Sequence, residues 1–453
     1  MNRLFETIRN IFKIEELRKR ILYTILIILV YRFGSFVVIP GIDPNQLSIM
    51  QRSSEGGLLG LLNMFSGGAF GNASIFALGI MPYITASIII QLLGMAVPYF
   101  QRLQKEGESG RKKLNQIMRY LTVLIVVVQA PGYIKNVIEQ FRMAGATTAV
   151  TPFNGDAPGL FFWISSVILL VAGTLFIMWL GERITDKGIG NGISLIIMIG
   201  IIARLPGAFA AECATRLNQG GTGLLVLVIE LIVLFFVMVG TIALVQGTRK
   251  IPVQYAKRVV GNRQYGGVRQ YIPLKVNAAG VMPIIFAQAI MFLPITIAGF
   301  RQTDALTGFA AAFTNINGFW YNFVFFLMII AFTYFYTAVT INPTQMAEDI
   351  KKNGGFIPGV KPGKKTAEYI EGILSKITLP GSIFLGIVAI MPAIVASLMN
   401  VTTGFSHFYG GTSLLILVGV VLDTLQQIES HLLMHHYDGL TKTGRIKGRI
   451  GRM

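Results

Sequence analysis

Long apolar windows recur along the chain, separated by short polar stretches. About ten windows of roughly 20 apolar residues can be counted, each long enough to cross about 30 Å of hydrocarbon as a helix. Their hydrophobicity is unbroken, whereas the strands of a membrane barrel would alternate apolar and polar positions. The pattern predicts an all-α polytopic membrane protein. The predicted spans are approximately 21–39, 75–97, 117–138, 160–180, 189–209, 223–245, 278–299, 319–341, 377–398 and 411–433.

Composition excludes a soluble protein. The 453 residues are 53% hydrophobic and only 13% charged, with a mean hydropathy of +0.62. A soluble chain of this length needs more polar surface to cover its core. The first window follows a head with both acidic and basic residues, and "IPGIDP" at 39–44 lacks a small-residue cleavage pattern, so it is predicted to be a retained span. The single cysteine, Cys213, leaves no internal disulfide.

The 39 Lys and Arg residues lie mostly on one side of the predicted spans. The odd-numbered gaps, counted from the head, hold 32 of them, the other side holds 6, and Arg32 lies inside the first span. Basic loops stay in the cytoplasm. The sequence therefore predicts a multi-pass membrane protein with both termini and the large basic loops in the cytoplasm.

Two predicted cytoplasmic loops contain more basic residues and turn-forming residues than are needed to orient the spans in the membrane. Loop 247–277 interleaves basic residues with three tyrosines, and loop 342–376 carries Gly-Gly and two prolines at a basic tip. Such features favour a docking surface for a large acidic partner, including RNA. The alternative is that they serve only orientation and anionic lipid headgroups. The candidate docking residues are Arg249, Lys250, Lys257, Arg258, Lys361, Lys364 and Lys365.

Counting spans predicts two halves. Five spans precede the loop around 206–222 and five follow it, so the second half enters the membrane upside down relative to the first. The predicted halves are residues 1–215 and 216–453. Inverted halves with broken helices are a recurring way to build a path through a membrane.

The search for reaction chemistry is negative. "GIGNG" at 188–192 lacks the strand–turn–helix context of a phosphate loop, and no nucleophile motif is present. The sequence predicts no enzyme, catalytic residue, cofactor or metal. Among charges within the spans, only Glu230 is a plausible mid-membrane carboxylate, and structural accommodation is favoured over proton transport.

Glycine interrupts the second span at its entry, where "NMFSGGA" precedes "SIFALGIMPYITASIIIQLL". Glycine weakens a helix by roughly 1 kcal/mol relative to alanine, so the sequence predicts a break here. Isoleucines four apart, Ile80 with Ile84 and Ile189 with Ile193, are predicted to share helix faces beside glycines. Converging isoleucines could form a constriction that excludes water by dewetting, although ordinary packing is the alternative.

Several stretches together resemble the SecY family, the channel-forming subunits of the bacterial protein translocase. They are "NMFSGGA", "KEGESGRKK", "GIGNGIS", "PVQYAKR", "PLKVNAAGVMP", "NGGFIPGVKPGKKT" and "FYGGTSLLI". The resemblance implies ten helices in two inverted halves around a passive pore for unfolded chains, with lateral release of apolar segments into lipid. It also implies SecE-like and SecG-like subunits, a SecA-like motor ATPase or a translating ribosome, and signal peptides and unfolded client chains as cargo.

The same resemblance assigns roles to residues. Residues 58–72 resemble the family's plug, hinged by glycines, and spans two and three face seven and eight as a lateral gate. Lys361 stands where the family often has arginine, which keeps the charge but loses bidentate geometry. The implied pore ring is Ile80, Ile84, Ile189, Ile193, Ile285 and Ile416. The implied plug and hinge residues are Asn63, Phe65, Ser66, Gly67, Gly68 and Gly71.

Two other functions remain open from the residues themselves. One is a secondary transporter with inverted repeats, which would need a polar site near the membrane midplane. The other is a membrane insertase or scaffold that never opens a pore.

Overall fold

The protein is described by a computed structural model in which helices dominate. The residues described are 14–47, 57–143, 159–218, 221–255, 258–260, 263–265, 269–288, 290–291 and 318–443. The helices before the first strand are α1 (Glu15–Gly34), α2 (Gly57–Phe65), α3 (Met81–Ala96), α4 (Pro98–Lys105), α5 (Glu108–Met143), α6 (Leu160–Lys187), α7 (Gly192–Asn218) and α8 (Gly221–Gln246). The later helices are α9 (Phe319–Thr340), α10 (Pro343–Lys352), α11 (Lys364–Met399), α12 (Thr403–Ser406) and α13 (Gly411–Thr443).

Within the described residues, seven helices are long and apolar enough to cross a membrane, and the bent pair α3–α4 makes an eighth. Helix α1 overlaps the first predicted span (21–39) only as far as Gly34, carries charged side chains at both ends and is not among the seven. Residues 289 and 292–299 of the predicted span 278–299 lie outside the described residues. The helical membrane architecture predicted from the hydrophobic pattern is confirmed.

A sharp bend separates α3 from α4. Val97 is extended (φ −112°, ψ 120°) because the ring of Pro98 disfavours helical geometry in the preceding residue. The two axes differ by 105°. Leu103 of α4 is buried in a small core with Ile90 of α3 and Leu114 of α5. The bend therefore packs α4 against the ends of two long helices.

The chain forms two compact units. The first comprises Met1–Ser53, Asn63–Ala203 and Val420–Met453, and the second comprises Ser54–Leu62 and Arg204–Gly419. In the first unit, α5 packs on both α3 and α6, and α1 packs on α6. In the second, α11 packs on α9 and α8 around a core that includes Ile284, Ile329 and Leu385, each completely buried. The predicted division at 215/216 stays a prediction.

The two basic loops join in one sheet of the second unit. Strands β1 (Thr248–Tyr255) and β4 (Arg269–Lys275) form an antiparallel hairpin, and β5 (Gly355–Phe356) of the other loop pairs with the end of β1. Two shorter strands, β2 (Arg258–Val260) and β3 (Arg263–Tyr265), pair with each other. Side chains from both loops fill one core under the three-stranded sheet: Ile251, Val253, Leu274, Ile350, Ile357, Ile370 and Leu374.

Candidate functional site

The entry to the second predicted span is not helical. Helix α2 ends at Phe65, and residues 66–79 follow as turns before α3 begins at Met81. Gly67 (φ +66°), Gly68 (φ +92°) and Gly79 (φ +56°) adopt left-handed backbone conformations that favour glycine. The predicted break is confirmed. The predicted start of the span at residue 75 is wrong: the left-handed glycines interrupt the helical backbone, and the helix begins only at Met81.

Residues 66–72, named here the glycine turn, are tied to the end of α2. The Oδ1 of Asn63 accepts from the Gly71 N–H (2.9 Å), and the Ser66 hydroxyl donates to the Asn63 carbonyl (3.1 Å). The Phe70 N–H donates back to the Ser66 hydroxyl oxygen (3.0 Å). A Cβ at Gly71 would lie 2.8 Å from the Asn63 amide nitrogen, so glycine is needed there for space. Asn63 and Ser66 therefore shape the turn from within.

Three long side chains from α1 and α5 also hold the glycine turn. They are named here the wall donors, and sequence reasoning did not link them to the turn. Their bonds run from the Tyr31 hydroxyl to the Ser66 carbonyl (3.1 Å), from Arg32 Nη1 to the Gly67 carbonyl (2.8 Å), and from the Tyr133 hydroxyl to the Phe70 carbonyl (2.8 Å).

Ile80 and Ile84 form one helical turn at the start of α3. Ile80 is the N-cap residue and 3% exposed, and its carbonyl accepts from the Ile84 N–H (3.1 Å). The two side chains are therefore one turn apart at the beginning of the helix. This agrees with the spacing argument for this pair.

Ile189 and Ile193 do not share a helix face, so the prediction for this pair is wrong. Helix α7 begins at Gly192, and Ile189 lies before it in a bend where Gly190 has φ +80°. Thr24 Oγ1 accepts from the Ile189 N–H (3.2 Å), and Asn191 Oδ1 accepts from the Ile193 N–H (3.2 Å). The side-chain acceptors and the glycine conformation together end the helical periodicity before Ile193.

The other two isoleucines of the implied ring lie in the second unit. Ile285 is partly buried in a helical stretch over 282–288, and Ile416 of α13 is 3% exposed. All six ring candidates are buried or partly buried. Their convergence into one ring stays a prediction.

The candidate docking residues in the described part of the chain are solvent-facing. Arg249 and Lys250 are exposed on β1. At the tip of the other loop, the Lys361 carbonyl accepts from the Thr366 hydroxyl (3.0 Å), and Gly363 (φ +102°) leads into α11. Lys361, Lys364 and Lys365 are all exposed. Lys257 and the side chain of Arg258 lie outside the described residues.

A buried ion cluster occupies one end of the second unit. Arg216 of α7 lies between Glu212 on the same helix (Nε to Oε1, 2.8 Å) and Glu230 of α8, to which its Nη2 donates. The same Nη2 donates to the carbonyls of Met399 (2.7 Å) and Asn400 (3.2 Å). Both carboxylates are 0% exposed and Arg216 is 4% exposed. Sequence reasoning singled out Glu230 and missed its partners.

His407 lies in a single helical turn (His407–Tyr409) between α12 and α13. Its ring Nε2 is buried and has no hydrogen-bond partner among the described residues. Burial, joined by the nearby Arg204 guanidinium, lowers the pKa of His407 to about 4. The side chain is therefore neutral at physiological pH.

Comparison with known proteins identifies relatives over nearly the whole chain. The SecY family profile matches residues 74–425. The protein translocase subunit SecY of Halalkalibacterium halodurans is 43% identical over 97% of this chain and 100% of its own length. The SecY of Thermus thermophilus is also 43% identical, over 96% of this chain and 98% of its own.

Solved structures share the fold at lower sequence identity. A SecY translocation channel studied for its plug domain is 18% identical with a TM-score of 0.59, covering 95% of both chains. Sec61 in the canine ribosome-channel complex of the endoplasmic reticulum is 16% identical with a TM-score of 0.52, again over 95% of both. The fold is that of these ten-helix membrane proteins, and the resemblance seen in the motifs is confirmed. The chain belongs to the SecY family.

Proposed function

We propose that this chain is the passive protein-conducting channel of a general secretory pathway. The observation that carries the proposal is the family match over residues 74–425 together with translocase subunits 43% identical over nearly the full chain. The chain itself does no catalysis. Unfolded polypeptides pass through it, apolar segments leave sideways into lipid, and a bound motor or ribosome supplies the energy.

In this proposal the pore is sealed twice. The six isoleucines form an apolar ring that excludes ions by dewetting while binding no client tightly. Helix α2 and the glycine turn form a plug over it. Support comes from the burial or partial burial of all six isoleucines and from the compact, glycine-dependent turn. The related channel at TM-score 0.59 is described as having a plug domain that stabilises its closed state.

The sheet β4–β1–β5 with the tip 357–363 serves as the docking platform on the cytoplasmic side. Exposed cations on β1, at the tip and at the start of α11 suit ribosomal RNA or an acidic motor surface: Arg249, Lys250, Lys361, Lys364 and Lys365. Two structural relatives with the same fold are bound to ribosomes, canine Sec61 and yeast Ssh1. The proposed partners are a ribosome or SecA-like motor, SecE-like and SecG-like subunits, signal peptides, and anionic lipids. The proposed location of the protein is the bacterial inner membrane, with both termini in the cytoplasm.

The isoleucine ring is tested by replacing two of its apolar side chains with polar ones, so that water can enter the constriction. We expect Ile84→Asn with Ile416→Asn to raise ion leak in liposomes and to permit export of clients with weakened signal sequences. The matched control is Ile84→Leu with Ile416→Leu, which keeps the surface apolar and should leave leak near the wild-type level. Unchanged conductance and client selection in the asparagine variant would mean that these isoleucines are ordinary packing residues.

The same vesicles separate the channel from its rivals. A channel carries an unfolded preprotein across the membrane when motor and ATP are added. An insertase would integrate apolar segments without delivering secreted clients to the lumen. A secondary transporter would move a small solute and leave the preprotein outside.

A further inference from the structure

The three wall donors share one chemical property. Each donates to a main-chain carbonyl, and no side chain of the glycine turn takes part in these bonds. A main-chain carbonyl is present whatever residue occupies the position. These three bonds therefore depend on side chains of α1 and α5 and on the backbone path of the turn. The turn adds two side-chain contacts of its own: the Phe70 ring lies 4.8 Å from the Tyr133 ring, and the Asn72 amide donates to the Ser35 carbonyl (3.4 Å).

The two tyrosines among the wall donors are fixed by burial, and Tyr31 also by ring stacking, independently of their hydrogen bonds to the turn. Tyr31 is 1% exposed and its ring stacks on Phe76 with centroids 6.2 Å apart, and Tyr133 is 5% exposed. A buried hydroxyl that loses its acceptor carries a free-energy cost, so displacement of the turn leaves both tyrosines unsatisfied until water enters. Arg32 lies inside the first predicted span, where a charge is costly unless it is hydrogen-bonded. The Gly67 carbonyl meets that need.

The glycine turn packs directly against the backbone of α7 at Gly67. A Cβ added at Gly67 would lie 2.9 Å from the Gly200 Cα of α7 and 3.0 Å from Arg32 Nη1. Beyond the turn, Ser74 forms a β-bridge with Val38, which anchors the chain after the turn to the segment after α1. The turn can therefore be released while the chain on its C-terminal side stays fixed.

We propose that Tyr31, Arg32 and Tyr133 form a latch that keeps the glycine turn in its resting position and sets how readily the channel opens. This proposal rests on the proposed function, because the turn is part of the proposed plug. The three are positioning residues that touch the plug backbone. Loss of a neutral hydrogen bond should raise the open population by about 2- to 10-fold, and loss of the charged one by about tenfold or more.

The test uses a buried reporter that takes no part in these bonds. In a Cys213→Ala background, Met64→Cys places one thiol at a position 3% exposed in the resting state. The full chain, with its co-purifying subunits, is studied in membrane vesicles, and labelling by a membrane-impermeant thiol reagent is timed without client. Tyr31→Phe and Tyr133→Phe each remove one hydroxyl and keep the ring.

We expect either phenylalanine variant to speed labelling by at least twofold and the double variant to speed it further. Arg32→Met should give the largest increase. The matched control is Tyr409→Phe, which removes a hydroxyl from a tyrosine 0% exposed in the second unit and should leave the rate unchanged. Labelling rates equal to wild type in the double variant overturn the latch.

A client arrested halfway separates the latch from the plug. If arrest exposes Met64→Cys while the latch variants label at the wild-type rate, the latch is refuted and the plug stands. If arrest leaves labelling unchanged, the proposed plug itself fails. Faster labelling in the variants together with exposure on arrest supports both.

Discussion

Arg216 is expected to be the most sensitive single position in the buried ion cluster. Arg216→Met keeps an unbranched apolar stem of similar reach and removes the guanidinium. Two fully buried carboxylates, Glu212 and Glu230, are then left without their cation. The carbonyls of Met399 and Asn400 also lose their shared donor. The variant isolates what the charge contributes at this position.

Removal of one partner from a buried pair costs about 3–5 kcal/mol, because the remaining charge stays desolvated. At roughly 2 °C per kcal/mol, this predicts a fall in melting temperature of about 6–10 °C. Replacement of all three groups, as Glu212→Gln with Arg216→Met and Glu230→Gln, leaves no buried charge. The glutamine at 212 can still accept from Thr402, whose N–H donates to the Glu212 carboxylate (2.9 Å). The triple variant should therefore recover most of the lost stability.

The assay can use the protein's own cysteine. Cys213 adjoins Glu212 and is partly buried, so its reaction with a fluorogenic thiol dye in mild detergent reports unfolding at this end of the unit. Arg119→Met is the matched control, since the Arg119–Glu182 pair is 51% and 26% exposed and should cost at most about 1 kcal/mol. Equal losses for Arg216→Met and the control, or no recovery in the triple variant, would refute the reasoning.

Two further predictions concern charge. Arg249→Glu with Lys361→Glu should weaken ribosome or motor binding about tenfold at 0.1 M salt and less at higher salt, because exposed charges are screened. The control is Lys19→Glu on α1. If binding stays intact in the double variant, these cations serve only to set the membrane topology. For His407, the pKa of about 4 lies below the unfolded value of about 6.5, so stability present above pH 6.5 is lost as pH falls towards 4. On going from neutral pH to about pH 4.5, the wild type should lose up to about 3 kcal/mol more of its free energy of unfolding in detergent than His407→Gln does, and equal acid sensitivity would contradict the assignment.

Local physical chemistry made much of this protein predictable from the sequence. A backbone in hydrocarbon must satisfy its own hydrogen bonds, so long apolar windows dictate helices. Gly67 and Gly68 predicted a break in the helix because glycine adopts positive φ with little strain, whereas other residues do not. The family was likewise recognisable from short motifs. Each of these signals lies within one short stretch of chain.

Other features depended on residues distant in sequence. Arg32 looked like an isolated charge in the first span until its acceptor appeared 35 residues away at Gly67. Arg216 meets the carbonyl of Met399, 183 residues away. The two basic loops looked separate, yet β5 of one completes the sheet of the other.

Ile189 and Ile193 show the same limit at short range. Their spacing of four predicts a shared helix face, but acceptors from Thr24 and Asn191 take the backbone N–H groups and the helix begins only at Gly192. Helical periodicity holds only where a helix has formed. The sequence alone determined which segments are apolar, where the backbone can break and which face carries charge. Only the tertiary structure decided which donor meets which acceptor, because that pairing depends on packing between segments far apart in the chain.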